Sequence, residues 1–178
     1  QTKVFILNIN GFDTHGGQVD AIDFSTGEHP ELIKNVSDAI EAFQDDIEQL
    51  GLDHRVLGMT FSEFGRQIAS NDSMGTDHGE AAPLFLFGSC LSNQIIGSNP
   101  IIEDQITNQK AVDMQIDFRD IYASVLKDWF GISNNEIDSI FDNHTVNYYN
   151  IIQGCGLGND EIDDNNMDIN VFPNPSTD

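Results

Sequence analysis

Basic residues are scarce in this chain, which has seven Lys and Arg against thirty Asp and Glu in 178 residues. The formal net charge of −23 argues against sequence-independent binding to nucleic acid or anionic lipid. An anionic substrate would need a cation in its binding site. The two cysteines, Cys90 and Cys155, have no spacing that suggests a thiolate metal site or a disulfide framework, although a single bridge between them is possible. No apolar run approaches the length of a membrane span, so we expect none.

Hydrophobic residues make up 39% of the chain and include twelve Phe, which suffices to fill one core. The chain opens directly into the apolar run 4–9, from which we expect a fragment of a longer protein. We predict one globular domain over residues 1–155. Residues 156–170 are rich in Gly, Asn and Asp and offer little to bury, so we predict a flexible acidic linker before the Pro-bearing end, 171–178.

The apolar runs 4–9, 55–61 and 83–87 are typical of strands that are buried on both faces, and we predict that they share one sheet. Between the first two runs, apolar residues recur every three or four positions over 31–50, which predicts an amphipathic helix. A second helix is predicted after Asp117, a suitable N-cap. Strand, helix and strand in this order favour a three-layer α/β fold with a mainly parallel sheet.

Polar residues cluster next to the predicted strands. Asp13 and His15 follow the first strand, and Glu63 follows the second. Asp77 and His78 directly precede the third. Because ligands bind at strand ends in α/β proteins, this cluster is a candidate metal site. We predict its ligands to be Asp13, His15, Glu63 and His78, with Asp77 as an anion contact or a support for the ligands. Each also fits a simpler reading: an exposed polar turn at Asp13, the first turn of a helix at Glu63, and a hydrogen-bonded loop at His78.

Two of the few cations lie beside these segments. Arg66 offers a forked donor to an oxyanion or support for the ligands, and Arg119 is either a helix-start salt bridge, which we favour, or an anion contact. The remaining histidines are interpreted as surface residues: His29, His54 and His144.

Five segments, taken in order, resemble the C-terminal part of an uncharacterised bacterial family, domain of unknown function fifteen-oh-one. They are GFDTHGGQ, TFSEFGR, GTDHGEAAPLFLFG, IIGSNP and DFRDIYASVLKDWFGI, and they extend over about residues 3–132. The family is placed in the alkaline phosphatase and sulfatase superfamily. The resemblance therefore implies the second half of an alkaline phosphatase-like fold.

The resemblance also implies roles for single residues. Asp13 and His15 resemble the first ligand pair of the superfamily, Glu63 the carboxylate of the second pair, and His78 its late histidine. Phe64 stands where the second pair has a histidine, which predicts one metal rather than two, or an ion that prefers oxygen. The resemblance does not distinguish zinc, calcium and manganese, and it assigns the nucleophile to the half of the fold upstream of this chain.

Residues 171–177, VFPNPST, resemble the opening of the C-terminal sorting domain of type IX secretion cargo. This implies a secreted or cell-surface protein whose partner is the type IX secretion machinery. Two functions follow from the whole pattern. The first is metal-dependent hydrolysis of a phosphate or sulfate ester on a small molecule or polymer. The second is a non-catalytic secreted protein that binds metal or kept only the fold.

Overall fold

The computed structural model describes residues 3–92, 94–107, 109–155 and 168–171. The elements follow in the order β1 (Lys3–Ile6), α1 (Glu28–Gln49), a short 3-10 helix (Asp53–Arg55), β2 (Gly58–Met59), β3 (Gly65–Arg66), β4 (His78–Gly79), β5 (Leu86–Phe87), α2 (Phe118–Asp128), α3 (Asn134–Ile140) and β6 (Asp168–Val171).

The first predicted helix is confirmed as α1, which begins three residues earlier than its apolar period suggests. Pro30 is its third residue, a position in the first turn where the missing amide proton costs no hydrogen bond. Beyond its end lies Gly51, whose positive φ of 67° suits a residue without a side chain. Of the residues of α1 only Ile47 is buried, so most of this helix is open to solvent.

The two C-terminal helices begin at side-chain caps. Asp117 is the N-cap of α2, as predicted, and its Oδ1 accepts a 2.9 Å hydrogen bond from the Arg119 backbone amide. Ser133 and Glu136 form a reciprocal capping box at the start of α3. Both starts are set by local hydrogen bonds and therefore can be located in the sequence.

The described strands form three two-stranded sheets. β1 pairs with β6 in parallel, whereas β2 with β5 and β3 with β4 are antiparallel. The second and third predicted strands thus share a sheet, but in antiparallel orientation, and β1 lies in a different pair. Pairs of strands do not define layers, so the three-layer, mainly parallel fold stays a prediction.

The core forms around one face of α2. It unites Ile121, Val125 and Trp129 of that helix region with Ile151 and Ile152, and it includes a disulfide between Cys90 and Cys155. The disulfide that the sequence analysis gave as possible is therefore present. Near the disulfide, Leu91 and Ile152 form one antiparallel bridge.

The first apolar run is more exposed than predicted. Phe5 is 61% exposed and Leu7 73%, because among the described residues only β6 pairs with β1. β6 includes the end of the predicted linker and the first residue of the segment 171–178. Residues 156–167 and 172–178 lie outside the described residues, and so do most of the linker and of the sorting motif. In the described part of the chain, no helix combines the length and apolarity needed to cross a membrane.

Candidate metal centre

Two loops and one pair of strands meet at the candidate site. β3 and β4 are joined by the loop 67–77, and the register sets Arg66 opposite His78. The loop after β1 docks on this unit, since the amides of Gly17 and Gln18 donate to the carbonyls of Ser73 and Met74 at 2.9 Å. These long-range hydrogen bonds bring the Asp13 region next to His78.

Glycine allows this close approach. A Cβ atom on Gly75 would lie 2.3 Å from the carbonyl carbon of His15, and one on Gly65 would lie 1.8 Å from the carbonyl oxygen of Ala81. Any other residue at these two positions would push backbone segments apart. Gly75 therefore permits the close approach of the two loops, and Gly65 permits the close approach of β3 and the segment after β4.

Three of the predicted ligands converge. Nε2 of His78 lies 2.8 Å from Oδ1 of Asp13, and Nε2 of His15 lies 3.0 Å from the same oxygen. The two imidazole nitrogens are 3.1 Å apart. Asp13, His15 and His78 thus form a possible metal-binding triad, and all three side chains are exposed. The side-chain exposure, 45–61%, leaves the triad open to an ion and to a further ligand.

The donor set fits one metal ion. Two imidazoles and one carboxylate are a common set of protein ligands for catalytic zinc, with the fourth position open. Tetrahedral ligands at ~2.0–2.1 Å from zinc lie about 3.3 Å apart. The three distances of 2.8, 3.0 and 3.1 Å need to open by only a few tenths of an ångström. Side-chain rotation at an exposed site allows a change of that size.

Asp77 supports the triad instead of joining it. Its Oδ1 lies 3.1 Å from Nδ1 of His15, on the opposite side of the ring from the triad. The same oxygen accepts a 3.2 Å hydrogen bond from Nδ2 of Asn71, a residue that the sequence analysis did not single out. The local sequence contains one indication of its role, because Asn side chains commonly bind nearby backbone in turns.

The hydrogen bonds lower the pKa of both aspartates. For Asp13 the main cause is the hydrogen bond with His78, and the charges of His15 and Arg66 add to it. For Asp77 the main cause is the hydrogen bond with His15, followed by that with Asn71. Both carboxylates are therefore held in the ionised form that binds cations.

Arg66 connects the two loops. Its guanidinium donates to the carbonyls of Thr76 and Phe12, and to Oγ1 of Thr14 at 3.3 Å. It also lies 4.0 Å from Oδ1 of Asp13, and its side chain is only 19% exposed. The position predicted as an anion contact or a support thus makes several supporting contacts within the protein.

Phe64 lies directly against the triad. Its ring stacks on the imidazole of His78 with centroids 3.7 Å apart and planes at 8°. The guanidinium of Arg66 lies 5.0 Å from the Phe64 ring centroid. Phe64 therefore orients His78 by stacking on one face of its ring. Glu63 is exposed and is not among the side chains that form the described triad, so its role as a ligand stays a prediction.

A second charged cluster lies at the start of α2. Nε and Nη2 of Arg119 donate to the two carboxylate oxygens of Asp117, at 2.9 and 2.6 Å, which is the salt bridge favoured from the sequence. This pairing is the main cause that lowers the pKa of Asp117 to about 2. Deeper in the protein, Oδ1 of Asp120 lies 2.7 Å from Nε2 of His144.

The interpretation of His144 as a surface residue is wrong, since its side chain is 14% exposed and that of its partner Asp120 only 4%. The sequence contains one sign of this pair. Asp120 occupies a position on the apolar face of α2, beside Ile121 and Ser124, where a charged residue needs a partner. His29 also differs from the surface interpretation, because burial lowers its pKa and its ring contacts the edge of Phe12.

Over residues 1–141 the chain matches the family described as "Protein of unknown function (DUF1501)", and it belongs to that family. No curated protein and no solved structure matches it. The family predicted from the five sequence segments is thus confirmed. Its place among the alkaline phosphatases and sulfatases, and the sorting domain, stay predictions.

Proposed function

We propose that Asp13, His15 and His78 bind one divalent cation and that this centre serves the hydrolysis of a phosphate or sulfate ester. The proposal rests on one observation. Three potential acceptor atoms, each able to carry negative charge or a lone pair, lie within 3.1 Å of one another.

This arrangement requires a proton or a cation between the side chains. Nδ1 of His15 faces the carboxylate of Asp77, so the ring proton belongs on Nδ1 and the lone pair is on Nε2. That lone pair then faces an oxygen of Asp13 and a nitrogen of His78. Such contacts are repulsive unless a proton, such as one on Nε2 of His78, or a cation lies between the atoms. A metal ion satisfies all three acceptors at once.

The ligand types narrow the choice of metal. Calcium is bound by six to eight oxygens, whereas imidazole suits zinc and other first-row transition ions. Two of the three triad side chains supply nitrogen. We therefore propose zinc, with manganese second and calcium last.

When bound, the cation would supply Lewis-acid polarisation of an ester oxygen and would offset charge that develops there. The residues of the chain provide the binding site. Asp13, His15 and His78 hold the ion on an exposed surface, and Arg66 keeps their two loops together. In a chain of net charge −23, this centre is also the local cation that an anionic ester needs.

The location proposed is outside the cell or on its surface, after export by the type IX machinery. The disulfide between Cys90 and Cys155 supports it, because such bonds persist mainly in oxidising compartments. The sequence VFPNPST is its second support. Cell fractionation of the source organism, with detection of the protein in membrane-surface and culture fractions, tests this location.

A non-catalytic metal-binding protein is the second candidate, and Phe64 favours it. The Phe64 ring occupies the face of His78 at 3.7 Å, where a second ligand pair would need an imidazole. A centre with one ion lacks the symmetric clamp of two-metal hydrolases. Binding can therefore persist in this protein without turnover.

Measurement of metal content tests metal binding, which both candidate functions require. We expect the wild-type chain, dialysed against zinc, to retain about one equivalent by elemental analysis, and His78→Ala to lose most of it. The matched control is His54→Ala, since His54 lies on the short 3-10 helix outside the triad. Equal zinc in the two variants would show that protons, and not a cation, satisfy the triad.

Ester hydrolysis separates the two candidates. The full-length protein is assayed with 4-nitrophenyl phosphate and 4-nitrophenyl sulfate, before and after chelation and with zinc added back. Turnover that depends on zinc and is lost in His78→Ala supports the hydrolase. Zinc binding without turnover of either ester supports the non-catalytic protein.

A further inference from the structure

Asn71 organises the loop that precedes β4. Its Oδ1 accepts hydrogen bonds from the backbone amides of Ser73 at 2.9 Å and Gly75 at 3.1 Å. Between these two residues, Met74 has a φ of 58°, a left-handed conformation that residues with a side chain rarely adopt. These two hydrogen bonds to the Asn71 side chain thus stabilise a turn that contains an unfavourable backbone conformation.

The two backbone amides also fix the orientation of the Asn71 side chain. Because they occupy Oδ1, the donor group Nδ2 must point the other way. Nδ2 donates to the carbonyl of His15 at 2.8 Å and to Oδ1 of Asp77 at 3.2 Å. A single amide therefore connects the turn, the backbone of one triad residue and the carboxylate beside it.

Asp77, oriented by Asn71, in turn orients the ring of His15 through a hydrogen bond. Its Oδ1 accepts from Nδ1 of that ring at 3.1 Å, while Nε2 of the same ring points at Asp13 and His78. A carboxylate on one ring nitrogen selects the tautomer whose other nitrogen is free to bind a metal.

We propose that Asn71 and Asp77 are positioning residues that hold His15 with its proton on Nδ1 and its Nε2 directed at the metal. The inference rests on the metal site proposed above. Neither residue binds the ion: Asn71 orients Asp77, and Asp77 orients His15. Loss of either side chain therefore weakens binding and leaves the number of ions bound unchanged.

Zinc titration by isothermal calorimetry tests the proposal on the full chain. We expect Asn71→Ala and Asp77→Ala to bind zinc about 10–100-fold more weakly than wild type with the same stoichiometry. Asp77→Asn keeps an oxygen that can accept from Nδ1, so it should recover part of the affinity. The matched control is Asn35→Ala on an exposed position of α1, which should bind as wild type.

Two results of the titration would overturn the proposal. Wild-type zinc affinity in both alanine variants would show that Asn71 and Asp77 do not position His15. Complete loss of binding in Asp77→Asn, matching His78→Ala, would show that Asp77 is itself a ligand. The cobalt-substituted proteins give an independent readout, because a retained ligand set keeps the visible spectrum of wild type in all but His78→Ala.

Nitrogen-15 NMR of the His15 ring, without metal, separates this inference from the proposed function. We expect the proton on Nδ1 in wild type and a shift towards Nε2 in Asp77→Ala. The same spectra report whether each variant is folded. If the wild-type chain takes up no zinc, only the proposed metal-binding function is contradicted. If the His15 tautomer is unchanged in folded Asp77→Ala, the proposed positioning of His15 by Asn71 and Asp77 is contradicted.

Discussion

Replacement of Asp120 by Ala should strongly destabilise the protein. Oδ1 of Asp120 lies 2.7 Å from Nε2 of His144 and accepts from the backbone amide of Asn147 at 3.0 Å. Its Oδ2 accepts from Nδ2 of Asn147 at 3.2 Å. Asp120 is 3% exposed, so water cannot replace the lost partner without rearrangement. The variant leaves the imidazole and the amide without their acceptor.

The magnitude follows from these contacts. A hydrogen bond to a charged group contributes about 1.5–3 kcal/mol, and a buried donor left without an acceptor costs about 1–3 kcal/mol. The contacts share one carboxylate and do not add independently. We expect Asp120→Ala to lower the free energy of unfolding by about 4 kcal/mol. Asp120→Asn keeps the shape and one acceptor oxygen, and should lose about half as much.

Urea unfolding followed by circular dichroism at 222 nm measures both variants. The control is Asp128→Ala, an exposed carboxylate at the other end of the same helix, for which a change within about 0.5 kcal/mol is expected. If Asp120→Ala were as mild as Asp128→Ala, the buried pair with His144 would not hold the segment after α3, and the reasoning would be refuted.

Two further predictions concern the same part of the molecule. Because Arg119 lowers the pKa of Asp117 to about 2 from an ordinary 3.8, the resulting stability is fully present above about pH 4 and is lost as pH falls through 2. Wild type should therefore lose about 1–2 kcal/mol more than Asp117→Asn, which keeps the helix cap, between pH 4 and 2; parallel acid titrations by circular dichroism would contradict this. The bridge between Cys90 and Cys155 spans 65 positions, so the double alanine variant should lose about 4 kcal/mol in urea unfolding, and a loss below 1 kcal/mol would contradict the expected constraint on the unfolded chain.

The helices could be predicted because their determinants are local. The apolar period and Gly51 mark α1, and the Asp117 cap marks the start of α2. The pairing of the strands could not be predicted. Runs 55–61 and 83–87 have strand character, but the antiparallel register of Gly58 with Phe87 depends on contacts far apart in sequence.

The sequence by itself determined which residues are candidates for the metal-binding triad. Asp13, His15 and His78 carry the right ligand atoms in glycine-bearing loops, and the ordered segments around them identified the family. Only the tertiary structure decided which candidates converge. It joined those three across more than sixty residues, left Glu63 out of the described triad and paired Asp120 with His144. Ligand chemistry belongs to single residues, whereas distances between side chains depend on long-range backbone hydrogen bonds that no local pattern encodes.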